Sequence, residues 1–196
     1  EATEDITKMA AMSPSETTYF DTSVAAHAKH RIAWLLILMF SSTITGSIIT
    51  KYKNAFAAIP LLVFFIPMLM DTGGNCGSQS STLIIRGIAL GEIRFSDLFR
   101  VMFKEFRVSL IVGVVLALAN GLRILIMYRN AGLALVIGLS LVATVIISKL
   151  IGCLLPLFAK KLHMDPAIMA SPLITTLVDT CSILIYFNIA TRIFQL

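Results

Sequence analysis

The sequence predicts an all-α polytopic membrane protein with five transmembrane helices. Hydrophobic residues make up 57% of the 196 residues, and the mean hydropathy is +0.88, as is typical of integral membrane proteins. Charged residues account for only 14% and fall mainly between apolar runs. About 20 apolar residues suffice to cross the hydrocarbon core of a bilayer. We therefore expect five membrane segments, at residues 32–50, 56–88, 108–127, 133–158 and 172–194.

Composition also excludes several classes of function. The net charge of +5 is explained by basic loops near lipid headgroups, and no patch of interleaved basic and aromatic residues indicates a nucleic-acid partner. The three cysteines, Cys76, Cys153 and Cys181, lie within apolar segments, where neither a disulfide framework nor a paired Cys-x-x-Cys metal site is expected.

The first 31 residues differ from the rest, because they are polar and mixed in charge. A helix is expected to begin after Thr22 or Ser23 and to continue into the first segment. We therefore divide the chain into residues 1–31, a cytoplasmic connecting region, and residues 32–196, a five-helix transmembrane domain. Because the sequence starts with Glu1 rather than Met, we expect it to be a piece of a longer protein.

The segments differ in character along the chain. The second half of segment one carries small polar residues that suit helix contacts. Segment two, 56–88, is longer than a bilayer requires, so it must tilt, bend at Pro60 and Pro67, or extend beyond the membrane. Residues 86–107 are expected to form a cytoplasmic loop, in which Ser96 with Asp97 caps a helix that leads into segment three. Segment four has a stripe of small residues that predicts either a pore wall or a close helix contact: Ser140, Thr144, Ser148 and Gly152.

The basic residues predict the orientation. With the amino terminus inside, the cytoplasmic stretches 1–31, 86–107 and 157–171 hold ten of the sixteen Lys and Arg residues, and the outer side holds five. Since cytoplasmic loops are enriched in Lys and Arg, this distribution favours a cytoplasmic amino terminus in a cell membrane.

Polar residues inside segment two indicate a functional site. Asp71 and Asn75 follow Pro67 directly and lie among glycines and hydroxyl residues. A carboxylate or an amide at membrane depth must face protein or water, because hydrocarbon satisfies no polar group. The segment is therefore predicted to be a bent helix lining a polar cavity.

Segment five carries a second polar stripe. Ser171, Thr175 and Asp179 are four residues apart, so a helix places them on one face. One carboxylate with hydroxyl and carbonyl oxygens suits a hard divalent cation such as Mg²⁺, held through its hydration shell. Alternatively, Asp179 is a structural residue that pairs with Lys149 of segment four.

Two stretches carry a family resemblance. The run GGNCGSQSSTLIIRGIALGEI (73–93) and the run PLITTLVDTCSILIYFNIA (172–190) resemble the membrane domain of the MgtE family of magnesium transporters. The likeness covers residues 32–196, and residues 1–31 resemble the family's connecting helix, also called a plug helix. The resemblance implies Mg²⁺ as the transported ion and a homodimer with the ion path near the subunit interface.

The resemblance also assigns roles to particular residues. It implies that Asp179 is the central carboxylate for Mg²⁺, that Thr175 and Ser171 supply oxygens one and two turns earlier, and that Asn75 lies beside the pore. Asp71 would add a second cation site. The family's cytosolic Mg²⁺-sensing region, with its paired CBS module, would be a further partner and lies outside this sequence.

The residues also bear on four other functions. Asp71 would allow Na⁺-coupled Mg²⁺ exchange, or the chain would transport a broader range of divalent cations. An intramembrane enzyme is not expected: the glycine-flanked motif of membrane aspartyl proteases is missing, and all three histidines lie in loops, away from any intramembrane nucleophile. A purely structural membrane subunit would need Asp179 for folding only.

Overall fold

A computed structural model describes residues 19–169 and 171–195. These residues form helices and connecting turns, without a strand among them. Five helices have 24 residues or more: α1 (Val24–Lys51), α4 (Ile66–Ala89), α5 (Leu98–Tyr128), α6 (Ala131–Lys161) and α7 (Ser171–Phe194). Two short helices, α2 (Lys53–Ala58) and α3 (Leu61–Phe64), lie between α1 and α4, and 3₁₀ turns cover Phe95–Asp97 and Pro166–Met169. The all-α prediction is confirmed, and each predicted segment overlaps one long helix.

Helix α1 begins where the sequence predicts. Ser23 has extended backbone angles and its hydroxyl accepts a hydrogen bond from the Ala26 amide at 3.3 Å, which is the role of an N-cap residue. Residues 1–18 of the predicted connecting region lie outside the described residues.

Segment two is divided into three helices rather than bent within one. The chain leaves helical geometry at Ile59, directly before Pro60, and turns again at Phe65, two residues before Pro67. Because a proline lacks an amide donor and crowds the preceding turn, helices end at or before such positions. Because of these two breaks, α4 is a separate helix, and the direction of its polar face is independent of α2 and α3.

Residues 98–107 are helical: α5 begins where Ser96 with Asp97 is predicted to cap a helix, and the loop predicted over 86–107 is limited to the turn between α4 and α5. Helix α5 starts at Leu98. In the turn before it, the backbone amide of Arg94 donates a hydrogen bond to the Asp97 carboxylate at 3.0 Å. Part of this charged stretch packs inside the folded chain, where Glu105 is 8% exposed.

Within the described residues, four helices are long and apolar enough to cross a membrane: α1, α5 with its preceding 3₁₀ turn, α6, and α7 from Pro172. Large apolar side chains on α5 point outwards, and Ile111 and Leu118 are 69% and 70% exposed. Such a surface suits lipid rather than water. Helix α4 has the length but not the apolar composition, because its interior carries the polar run of segment two.

Helix α4 packs closely against α6 and α7 through glycines. A Cβ atom at Gly73 would lie 2.7 Å from a methyl carbon of Val178, and one at Gly77 would lie 2.7 Å from Ile174 Cγ2. A Cβ atom at Gly152 of α6 would overlap the carbonyl oxygen of Gly77. Ser140, Thr144 and Ser148 are fully buried, so the stripe of segment four is a helix contact within this chain rather than a pore wall.

Replacing Gly152 with alanine should destabilise the fold. The new methyl group meets backbone, which cannot rotate away, and overpacking of this kind costs about 1–3 kcal/mol, occasionally more. Thermal unfolding in detergent should show a clearly lower midpoint. Gly121→Ala on α5 is the matched control: its Cβ would meet nothing within 4 Å, and alanine favours helix over glycine by about 1 kcal/mol. Equal midpoints for the two variants would contradict the close contact of α4 with α6.

Candidate functional site

A cavity of about 220 Å³ lies between α4 and α7. It is lined by residues of these two helices alone: Met70, Asp71, Gly74, Asn75, Thr175 and Asp179. Four of the five predicted site residues therefore meet in one place, although Asp71 and Asp179 are more than 100 positions apart in the sequence. The fifth, Ser171, begins α7, and its side chain lies outside the described residues.

Helix α4 contributes an acid and an amide one turn apart. The Asn75 amide nitrogen donates to Asp71 Oδ2 at 3.2 Å, a pairing that the i, i+4 spacing of a helix allows. This bond orients the Asp71 carboxylate and leaves the amide oxygen of Asn75 available as an acceptor. Both side chains are exposed within the single chain.

Helix α7 contributes the other two oxygen-bearing side chains. Thr175 and Asp179 are half-buried and one turn apart. The Thr175 hydroxyl donates to the carbonyl of Pro172 at 2.9 Å, so its lone pairs face outward from that bond. Helix α4 comes close here because Gly74 has no side chain: a Cβ atom would lie 2.9 Å from Thr175 Cγ2.

The cavity suits a hydrated cation. Two carboxylates face it, and no basic side chain is among its lining residues, so it is negative when both acids are ionised. A water molecule occupies about 30 Å³ in the liquid, which leaves room for an ion that keeps several waters. Among the described residues, no three His, Cys, Asp or Glu side chains converge. A hard ion that dehydrates reluctantly fits such an open oxygen site better than a closed cage.

The alternative pairing of Asp179 with Lys149 is wrong. Lys149 Nζ lies 3.9 Å from Glu105 Oε2 of α5 and 3.4 Å from the Ser80 hydroxyl of α4. Ser80 in turn donates to Glu105 Oε2 at 2.6 Å. These three residues form a buried cluster, which we call the polar triad, and it leaves Asp179 to the cavity.

Sequence reasoning missed the polar triad because it placed Glu105 in the cytoplasmic stretch 86–107, outside the membrane segments. One signal was present: Lys149 is an unexplained charge inside an apolar segment, and a charge at that depth requires a partner. The apolar run that follows Arg107 made α5 look shorter than it is.

Long apolar helices and an acidic cavity lined by two of the long helices indicate a class of protein, membrane proteins with a functional polar site. Comparison with known proteins gives the family: residues 66–189 match the model of the MgtE family, described as divalent cation transporters. The match covers well over half of the chain, and the chain belongs to the MgtE family. The resemblance drawn from the sequence is thereby confirmed, and a family of transporters agrees with the expectation that the chain is not an enzyme.

Three relatives are named magnesium transporter MgtE. The Bacillus subtilis protein is 41% identical over 191 residues, which cover 97% of this chain and 42% of the relative. The Thermus thermophilus protein is 36% identical over 197 aligned positions, covering 100% of this chain and 43% of the relative. The Enterococcus faecalis protein is 34% identical over 164 residues, or 84% of this chain and 36% of the relative. The chain thus spans less than half the length of the curated relatives that it matches.

Proposed function

We propose that this chain is the ion-conducting membrane domain of a Mg²⁺ transporter, with a path lined by α4 and α7. The observation that supports it is the acidic cavity, where Asp71 and Asn75 of one helix face Thr175 and Asp179 of another. Asp179 is the central carboxylate, and Thr175, Asn75 and Ser171 are further oxygen donors to the hydrated ion. The relatives named magnesium transporters support Mg²⁺ as the substrate.

The proposal includes a fifth membrane crossing and a homodimer. Helix α4 crosses the membrane as a polar helix, which is stable there only if its polar side faces protein or water. Asp71 and Asn75 are exposed on that side within the single chain, and a second copy of the chain would cover them and enclose the ion path. The amino terminus faces the cytoplasm of the cell membrane, where the regulatory partner is a cytosolic Mg²⁺-sensing region of the full-length protein.

Uptake of Mg²⁺ into proteoliposomes tests the function. Purified protein is reconstituted with a Mg²⁺-sensitive dye trapped inside the vesicles, and external Mg²⁺ is added under a negative internal potential. Faster dye response than in protein-free vesicles supports the proposal. A folded, reconstituted protein without flux at any Mg²⁺ concentration contradicts it, and flux of Mn²⁺ or Co²⁺ at equal rates favours the broader divalent-cation transporter.

A second candidate is Na⁺-coupled Mg²⁺ exchange, which the position of Asp71 favours. Two carboxylates in one cavity carry two negative charges, which either one Mg²⁺ or Na⁺ ions bound in its place would balance. Flux that rises with a Na⁺ gradient, and loses this dependence in Asp71→Asn, would support exchange. Flux that does not depend on Na⁺ and is unchanged in Asp71→Asn removes the reason for it.

Asn75→Ala should reduce Mg²⁺ flux without abolishing it. The variant removes one amide oxygen and the hydrogen bond to Asp71, and a hydrogen bond to a charged group is worth about 1.5–3 kcal/mol. We expect a fall of roughly tenfold in initial uptake rate. The matched control is Asn188→Ala, also on an exposed position, whose amide donates to the Leu184 carbonyl on α7 at 2.7 Å. Equal effects of the two variants would argue against a role of Asn75 at the ion path.

A further inference from the structure

A second cavity lies on the other side of α4, near the turn that connects α4 to α5. Its volume is about 600 Å³, and α4, the turn, α5 and α6 all contribute to its walls. We call it the interfacial cavity. Four basic residues line it: Arg86, Arg100, Lys104 and Lys149. It shares no lining residue with the cavity that holds Asp179.

Three acidic residues also line the interfacial cavity, and two of them have partners within the protein. Glu105 accepts from Ser80 at 2.6 Å and lies 3.9 Å from Lys149 Nζ. The Asp97 carboxylate accepts the Arg94 amide at 3.0 Å. Glu92 is the remaining carboxylate of the lining, and it is exposed at the turn.

The basic residues keep capacity for an anion. Arg86, Arg100 and Lys104 are exposed, and within the part of the chain that the structure describes none of them forms an ion pair. Lys149 lies at the inner end, 5% exposed, and its two contacts of 3.4 and 3.9 Å are longer than the 2.7–2.9 Å typical of strong charge-assisted bonds. Its three ammonium donors are therefore incompletely used.

The position matches the edge of a bilayer. Helix α4 ends at Ala89 and α5 begins at Leu98, and the membrane crossings given under the proposed function, on which this inference rests, place the mouth of the cavity at one edge of the bilayer. Glu105 is seven residues into α5, or about 10 Å deep at about 1.5 Å per residue. Apolar side chains complete the walls, among them Leu83, Val101 and Val108. A phospholipid has a charged headgroup and apolar acyl chains. The basic groups at the mouth suit the headgroup, and the apolar walls beside them suit the acyl chains.

We propose that the interfacial cavity binds the phosphate headgroup of an anionic phospholipid. Arg86, Arg100 and Lys104 contact the phosphate from the mouth, and Lys149 supplies an ammonium donor from within. The acyl chains lie along the apolar wall that Leu83 and Val108 form towards the bilayer. A soluble phosphate would use only the basic residues and leave the apolar wall without a role, so the lining favours the lipid.

Native mass spectrometry of the purified, delipidated protein tests this site. The probes are dioleoylphosphatidylglycerol and dioleoylphosphatidylcholine, titrated separately. We expect tighter retention of the anionic lipid, and a loss of about 25-fold in its affinity in Arg100→Gln/Lys104→Gln, since each basic residue near an anionic lipid is worth about a factor of five. Both positions are exposed, so the variant should fold normally, with an unchanged thermal midpoint.

The matched control is Lys53→Gln/Arg129→Gln, which removes two exposed basic residues outside the interfacial cavity. It should retain the anionic lipid with the affinity of the unmodified protein. Equal losses in both double variants, no loss in either, or equal retention of the two lipids would each overturn the proposal. Displacement of the lipid by inorganic phosphate at millimolar concentration would assign the site to a soluble phosphate and overturn the lipid assignment.

Discussion

Replacing Asp179 with asparagine should reduce Mg²⁺ flux at least tenfold in a protein that still folds. The carboxylate is half-buried and faces the cavity between α4 and α7, where the side chain of asparagine fits but supplies no charge. Two unit charges about 4 Å apart interact with about 4 kcal/mol at an effective dielectric constant of about 20. Even a fraction of this energy lowers cation occupancy steeply, since about 1.4 kcal/mol is a factor of ten. We expect the initial uptake rate to fall at least tenfold, measured with trapped dye in proteoliposomes.

Two controls separate a lost ion site from a damaged fold. Asp21→Asn removes the same charge from an exposed position outside the cavity lining and should leave uptake unchanged. The thermal midpoint and elution profile of Asp179→Asn should match those of the unmodified protein. Normal flux in Asp179→Asn would move the ion path away from α7, and a lower midpoint with normal flux per folded molecule would support a purely structural role for Asp179.

Replacing Lys149 with methionine should lower the free energy of unfolding more than Gly152→Ala does. Lys149 and Glu105 are 5% and 8% exposed and belong to the polar triad that joins α4, α5 and α6. Removing one partner of a buried ion pair leaves the other charge uncompensated and costs about 3–5 kcal/mol. We expect a much lower thermal midpoint in detergent, together with a smaller yield of monodisperse protein.

The double variant Lys149→Met/Glu105→Leu identifies the cause of that loss. Replacing both partners by apolar residues removes the unpaired charge, and such replacements are often neutral or stabilising. The double variant should therefore be more stable than Lys149→Met alone, a coupling that a double-mutant cycle measures. Lys160→Met, at an exposed position near the end of α6, is the surface control. A double variant no more stable than Lys149→Met would contradict the triad as the source of the effect.

Much of the candidate site could be predicted from the sequence. A polar residue at membrane depth is costly in free energy, so its presence there indicates a function. Asp71, Asn75, Thr175 and Asp179 each stand out against an apolar background, and helical spacing places each pair on one face. The structure adds that the two faces meet in one cavity. The roles of these residues towards Mg²⁺ stay predictions, as does the role of Ser171.

The interaction partners of the buried charged residues could not be predicted as well from the sequence. The sequence offered Lys149 as a counterion for Asp179, and depth in the membrane alone did not distinguish this pair from Lys149 with Glu105. The choice depends on which faces of α5 and α6 meet α4. That arrangement is fixed by the close approach of Gly77 and Gly152, and such a contact between distant residues leaves no periodic signal in either segment.

The sequence by itself determined the all-α class, the approximate positions of the long helices, the prolines at which segment two is interrupted and the family. Each of these follows from local composition: the length of apolar runs, the chemistry of proline, and motifs of consecutive residues. The tertiary structure alone decided which polar residues share a cavity, the burial of Glu105 in the polar triad, and the separation of the two cavities by α4. These features depend on side-chain contacts between helices far apart in the chain, which packing at glycine positions determines and composition does not.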